Sequence, residues 1–201
     1  MKPMLVYQNL EKILKLGEKW DAMTPTEQEA VAYAVKYLNK EPSKYIGNTT
    51  QFSREYLLAC SAETINERMR NGTAERIDLQ IAEQISNYAT RKDIVLYRGV
   101  DEITFEKMKV NAKGKKGIDL LEKGFLSTSL VKGHEIERPV KLRIYLPRGV
   151  AAVFMGNVKS CEAYYYEVAM QCGAMLKVLT ADKEYINCKC IGFEKHREEY
   201  N

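Results

Sequence analysis

The stretch Ile94-Val95-Leu96-Tyr97-Arg98-Gly99 decides how the chain is read, because an apolar, β-branched run delivers a single arginine just before a glycine. Such a run predicts a buried strand with a cation at its end. A buried guanidinium without a partner is costly, so Arg98 either meets a carboxylate or awaits an anionic ligand such as a pyrophosphate. Gly99 leaves room for that ligand to come close. Two later stretches answer this one. Gly124-Phe125-Leu126-Ser127-Thr128-Ser129-Leu130 reads as a strand whose Ser127 and Ser129 point one way and Thr128 the other. Tyr164-Tyr165-Tyr166-Glu167-Val168 reads as a strand carrying a carboxylate. The chain thus presents arginine, serine and glutamate, in that order.

Upstream of Arg98 the periods are helical. Leu5, Leu10, Ile13, Leu14 and Leu16 predict an amphipathic helix from Leu5 to Trp20. Thr24-Pro25-Thr26-Glu27 supplies an N-cap at Thr24, a proline at the first helical position and a glutamate three residues after the cap, opening a helix to about Asn39. A third helix spans Ser53 to Arg70, ended by Asn71-Gly72 as a left-handed cap, and a fourth runs from about Thr73 to Thr90. Downstream the texture changes to short β-type runs: Gly124–Ser129, Val140–Leu146, Val150–Met155, Tyr165–Ala169, Ala174–Thr180 and Tyr185–Phe193. Asn111 to Gly117, with three lysines and two glycines, reads as a mobile loop without the spacing of a P-loop. The expectation is one α+β domain over residues 1–201, a helical lobe of about 1–91 packed on a β-rich lobe of about 92–201, with a cleft between them.

Composition narrows the function classes. A chain of 201 residues with 45% hydrophobic and 29% charged residues suits one globular domain and argues against disorder. Lys+Arg exceed Asp+Glu by only 31 to 27, a net +4 spread along the chain, which suits an anionic ligand and makes a nucleic-acid binder the weaker reading. The five cysteines, Cys60, Cys161, Cys172, Cys188 and Cys190, lack zinc or disulfide-framework spacing, so reduced thiols and no metal are expected, with Cys188 and Cys190 packed on one face of a strand. Met1 to Leu16 is interrupted by Glu11, Lys12 and Lys15, so it reads as neither a signal segment nor a membrane span.

Tyr97-Arg98-Gly99, then Gly-Phe-Leu-Ser-Thr-Ser, then a strand carrying Glu167 resembles the Arg-Ser-Glu class of mono-ADP-ribosyltransferases, the clostridial and bacillar exoenzymes. Ile65-Asn66-Glu67-Arg68-Met69-Arg70 is similar to a helical segment of that family. The resemblance implies two small, mainly antiparallel sheets packed across each other with helices on the NAD side. It implies NAD as substrate and no metal. It implies that Arg98 holds the nucleotide, that Asn66, Arg70, Gly99, Ser127, Thr128, Ser129 and Arg138 line its site, and that Glu167 binds the ribose 2′-hydroxyl and stabilises the ribosyl cation, with Ser127 bracing it. Glu162, Tyr164 and Tyr165 would face a macromolecular acceptor, a host protein in the leading reading, modified by a secreted or delivered toxin or effector.

Two positions depart from the family pattern. Glu135 stands where an aromatic residue often precedes the loop arginine, here Arg138, by three positions; Tyr165 stands two before Glu167, where the family usually has glutamate or glutamine. The acceptor therefore cannot be read from the usual rule. The competing readings are a NAD glycohydrolase, with water as acceptor, and a catalytically decayed binding lobe of a multi-part toxin.

Overall fold

Strand β1 (Ile94–Val100) is covered on both faces, which is why its sequence is a continuous apolar run and not an alternation. Ile94, Leu96 and Val100 join the main core, whereas Val95 and Tyr97 meet Trp20 and Tyr185 on the opposite face. The computed structural model describes residues 15–38, 54–155 and 164–194. Helices α1 (through 15–21), α2 (Glu27–Tyr37), α3 (Arg54–Asn71) and α4 (Arg76–Ser86) precede β1. Helix α5 (Glu102–Ala112) and strands β2 (Leu120–Glu122), β3 (Leu126–Ser129), β4 (Val140–Leu146), β5 (Ala152–Phe154), β6 (Glu167–Met170), β7 (Ala174–Ala181) and β8 (Ile186–Phe193) follow it.

The strands form one ladder in the order β2-β7-β8-β4-β1-β3-β6-β5. β1 and β4 pair antiparallel along their full length, from Ile94–Leu146 to Val100–Val140, and β4 pairs β8 in parallel. The join between β1 and β3 is a single register pair, Tyr97–Ser129, after which β3 follows β6 residue for residue. The two expected sheets are therefore a five-stranded and a three-stranded part of one ladder, linked at a narrow waist. Arg98 lies next to that waist.

Helices α3 and α4 cover the three-stranded part. Leu58, Ile65, Met69, Ile81 and Ile85 pack on Phe125, Val153, Met155 and Ala169. Ala30, Ala34 and Leu38 of the α2 region close the main core. Gly72, at φ +72°, ends α3 in the left-handed conformation, and the Thr73 N–H reaches back to the Arg68 carbonyl.

Four expectations shift. The cap of α2 is Thr26, not Thr24: the Glu29 carboxylate accepts from the Thr26 N–H at 3.1 Å and its hydroxyl at 2.9 Å, whereas the Thr24 hydroxyl turns back to the Asp21 carbonyl. Helix α5 was not expected. Its cap, Asp101, accepts from the Thr104 N–H at 2.7 Å, but only Met108 and Ala112 are buried and Ile103 and Val110 face outward, so no apolar stripe announces it. Residues 111–117 are the end of that helix and its turn. Strand β6 begins at Glu167 and not at Tyr165, because Tyr166 at φ +46° breaks the extended run. Positions 5–14 of the expected Leu5–Trp20 helix, and Cys161 and Glu162, lie outside the described residues.

Candidate active site

Arg98 leaves the waist of the ladder half-buried. Its Nη1 donates to the Ser127 carbonyl at 2.5 Å, while its Nε is buried with no hydrogen-bond partner among the described residues. Burial draws the guanidinium pKa below its ordinary value; the Glu122 and Glu167 carboxylates push the other way, and Arg70 adds to the lowering. Of the two fates open to Arg98, pairing with a carboxylate at contact distance is not adopted among the described residues. A buried N–H donor left unbonded is a place for an anion's oxygen.

Glu167 starts β6 directly opposite Ser129, with Ser127 opposite Ala169 on the same face. The three hydroxyls of β3 then divide. Thr128 donates to the Val168 carbonyl at 2.7 Å, and Ser129 donates to the Val131 carbonyl and accepts its N–H, so both are spent on backbone. Ser127, only partly buried, makes no side-chain hydrogen bond within the described residues. Arg98, Ser127 and Glu167 are thereby brought to one place by β1, β3 and β6.

The α3 residues meet the same place in a different way. Asn66 is buried, its amide donating to the Phe125 carbonyl at 3.1 Å and accepting the Phe125 N–H at 2.7 Å. This pins α3 to the start of β3, and Gly124 is needed there because a Cβ would stand 2.6 Å from the Asn66 oxygen. One amide N–H of Asn66 is left to offer. Arg70 makes a bidentate fork to Glu122, both bonds 2.9 Å, and Glu122 also accepts the Gly124 N–H at 2.8 Å. Burial opposes the charge on Arg70, but Glu122 outweighs it and holds the guanidinium above its ordinary pKa. Sequence reading missed Glu122. The signal available was a carboxylate inside the apolar run Leu120-Leu121-Glu122, where a charge requires a partner.

Gly99 has another use than the one expected. A Cβ there would lie 1.8 Å from the Ile136 carbonyl and 3.1 Å from the Arg138 Cβ, so the space is taken by the loop between β3 and β4 and not held for a ligand. That close approach lays Arg138, exposed and bonded only at 3.4 Å to the Glu137 carbonyl, beside β1. Glu135 is buried as the loop's internal anchor, accepting from the Tyr185 hydroxyl at 2.6 Å and the Gly133 N–H at 2.9 Å. An aromatic ring would lose both bonds, which accounts for the departure at this position.

On the other side of Glu167, Tyr164 and Tyr165 are 63% and 40% exposed and pack edge to face. They occupy a short helical turn, so strand alternation does not relate Tyr165 to Glu167. Tyr166, the non-glycine residue with positive φ, stands between them and the carboxylate. Among the described residues no group of His, Cys, Asp and Glu could hold a metal. The Cys188 and Cys190 thiols are buried in β8, and burial pushes them up to about 12 and about 11, so they stay protonated and are poor ligands.

Helices packed on an eight-stranded ladder that narrows to a waist, with Arg98 beside that waist, are the architecture of an ADP-ribosyltransferase fold. Residues 37–196 match the ADP-ribosyltransferase exoenzyme family, and the chain belongs to that family. It is an NAD-dependent mono-ADP-ribosyltransferase. Among solved structures it is similar to Plx2a, an ADP-ribosyltransferase toxin from Paenibacillus larvae, at 21% identity and TM-score 0.56 over 83% of this chain and 96% of that one. It is also similar to the Clostridium limosum C3 exoenzyme, at 20% and 0.59 over 84% and 96%, and to C3stau2 from S. aureus with NAD, at 21% and 0.53 over 84% and 96%. No curated protein sequence matches the chain. No helix among the described residues is long and apolar enough to cross a membrane.

Proposed function

We propose that the chain moves ADP-ribose from NAD onto a protein acceptor, as a toxin or effector delivered to another cell, with NAD seated between α3 and the β1–β3–β6 waist. The reading rests on one observation above the others: the Arg98 Nε is buried, unbonded and within electrostatic reach of Glu167. In this scheme Arg98 and the exposed Arg138 bind the pyrophosphate oxygens, and the remaining Asn66 N–H and the Ser127 hydroxyl complete the nucleotide's contacts. Arg70 sets the position of Glu122 and contributes field more than contact. Glu167 accepts from the ribose 2′-hydroxyl and stabilises the oxocarbenium ion that forms as the bond from the ribose anomeric carbon to the nicotinamide nitrogen breaks. Nicotinamide leaves with the bonding pair. The acceptor's nucleophile then bonds to that carbon and gives up a proton. The exposed Tyr164 and Tyr165 form the surface that meets the acceptor, Glu162 is assigned to acceptor recognition by the family resemblance, and Gly99 serves the site by admitting the loop that carries Arg138.

Glu167→Gln tests the scheme. It should abolish transfer and NAD hydrolysis together while NAD affinity stays within about twofold, since the carboxylate acts on the cation and not on ground-state binding. Arg98→Ala should weaken NAD binding roughly ten- to a hundredfold, the loss of one charge-assisted bond of about 1.5–3 kcal/mol. Full hydrolysis by Glu167→Gln, or unchanged affinity in Arg98→Ala by calorimetry, would overturn it.

A further inference from the structure

His134 is the side chain that joins the segment leading into Glu167 to a helix far from it in sequence. The ring is buried, with the residue 8% exposed. Its Nδ1 lies 2.9 Å from the Tyr164 carbonyl oxygen and its Nε2 lies 3.0 Å from Oε1 of Glu27, in the first turn of α2. The ring also packs on Tyr164 at 4.6 Å and edge-on against Tyr166 at 5.0 Å, the residue whose positive φ turns the chain into β6. Two bonds and two ring contacts thus hold the backbone from Tyr164 to Tyr166, whereas Glu167 is already held by its pairing with Ser129 in the ladder.

The chemistry of the two acceptors specifies the ring's state. A peptide carbonyl only accepts, and so does a carboxylate; a neutral imidazole has one donor and one acceptor nitrogen, so it satisfies one of the two contacts and sets lone pair against lone pair at the other. Both contacts are made at once only by the imidazolium. We propose that His134, carrying both ring protons, is a positioning residue for the acceptor-facing segment Tyr164–Tyr166, a latch that releases when the ring loses a proton. The proposal rests on the reading of Glu167 as the carboxylate that acts on the ribose.

Among the described residues, the groups that face the ring are few. Glu27 comes from α2, and Tyr164 and Tyr166 from the segment being held. On the ring's own loop, Lys132 is turned to Asp21 and Glu184, and Glu135 is engaged by Tyr185 and the Gly133 N–H. Glu27 is the carboxylate bonded to the ring, and its side chain is 54% exposed, so it is open to solvent and replaceable without disturbing the core.

The consequence concerns acceptors more than NAD. Arg98 and Ser127 stand on β1 and β3 and Glu167 is paired with Ser129, none of them in contact with the ring, whereas Tyr164 and Tyr165 are the exposed face of the held segment. Losing the latch should therefore lower transfer to a macromolecule more than hydrolysis, for which water needs no docking surface.

Glu27→Gln is the decisive variant. An amide can turn its NH2 toward Nε2, so a neutral ring then makes both contacts, and the latch no longer needs its second proton. In the native protein, incorporation of label from radiolabelled NAD into a whole-cell lysate, divided by free ADP-ribose produced, should fall about tenfold between about pH 6 and about pH 9. In Glu27→Gln that ratio should be flat across the range, and in His134→Gln it should be low throughout. Ring ¹⁵N resonances of the native protein should show both His134 nitrogens protonated at the lower pH. A neutral ring there, or the same pH profile in all three proteins, would overturn the latch. If Glu167→Gln kept its hydrolysis while the ring signals came out as expected, the site reading would fall and the latch's bonding would stand.

Discussion

Arg70→Ala separates a structural duty from a nucleotide contact. In the native protein the Glu122 carboxylate is 1% exposed and receives three donors: Arg70 Nε and Nη2 at 2.9 Å each and the Gly124 N–H at 2.8 Å. Removing the guanidinium leaves a buried carboxylate with a single backbone N–H. Breaking a buried pair in this way costs about 3–5 kcal/mol, and the 29% exposure of Arg70 admits water that brings the figure toward the lower end, about 3 kcal/mol. For a chain of this length that is a fall in Tm of roughly 6–12 °C. Arg70→Ala/Glu122→Gln should regain most of it, because a neutral amide does not leave a charge stranded. Thermal unfolding by circular dichroism reads both proteins, and NAD calorimetry at a temperature where each is folded reads the contact. An unchanged Tm in the single variant, or a double variant no more stable than the single, would refute the assignment of Arg70 to Glu122. A large loss of NAD affinity in a double variant with native Tm would give Arg70 a direct contact after all.

Gly99→Ala should lower Tm by several degrees and weaken NAD binding together, since a methyl 1.8 Å from the Ile136 carbonyl must push the Arg138 loop away; overpacking of this kind costs about 1–3 kcal/mol, and intact stability would contradict it. Cys60 is exposed and should react promptly with a thiol reagent, whereas Cys172, Cys188 and Cys190, buried and pushed up to about 12, about 12 and about 11, should react only on unfolding, as mass spectrometry of labelled peptides would show. Burial raises the Asp182 carboxyl, but the Tyr185 and Glu184 N–H groups and Arg143 outweigh it and hold the pKa well below the ordinary range. A carboxyl depressed in the folded state contributes stability that is full above its unfolded pKa, about 3.9, and is lost as pH falls toward the folded one. Tm should therefore drop below about pH 4 in the native protein and less steeply in Asp182→Asn.

How far the fold was legible follows from where its elements find their partners. β1 could be read because burial on both faces writes itself as an uninterrupted apolar run, and β4 because Val140 to Leu146 pairs with β1 along its whole length. Helix α5 could not, since it buries only Met108 and Ala112 and turns Ile103 and Val110 to solvent, so its apolar positions carry no 3.6-residue period. The start of β6 was misplaced for a backbone reason. Tyr164, Tyr165 and Tyr166 are all good strand residues, and the positive φ of Tyr166 is enforced by His134 and by the turn before it, neither of which propensity registers.

The site divides along the same line, between groups that a sequence motif identifies by type and partners that only the fold supplies. Thr128, Ser129, Asn66, Arg70 and Glu135 are polar residues of the kind a nucleotide site uses, yet each spends its polar atoms inside the chain, on Val168, Val131, Phe125, Glu122 and Tyr185. Those bonds hold β3 to β6, α3 to β3, and the Arg138 loop to β8's leading turn. What the internal bonding of the described residues leaves over at the site is small: the Arg98 Nε, one Asn66 N–H, the Ser127 hydroxyl and the Arg138 guanidinium. Arg98 is within electrostatic reach of the Glu167 carboxylate, and the Arg138 loop lies against β1, so two cations and a carboxylate are offered. That is the charge pattern a dinucleotide needs, with its negative pyrophosphate and a ribose that turns positive as nicotinamide departs. A motif therefore names more residues than the ligand can touch, because part of it builds the frame that keeps the remainder unbonded. The test of any residue in it is whether its polar atoms are already satisfied before NAD arrives.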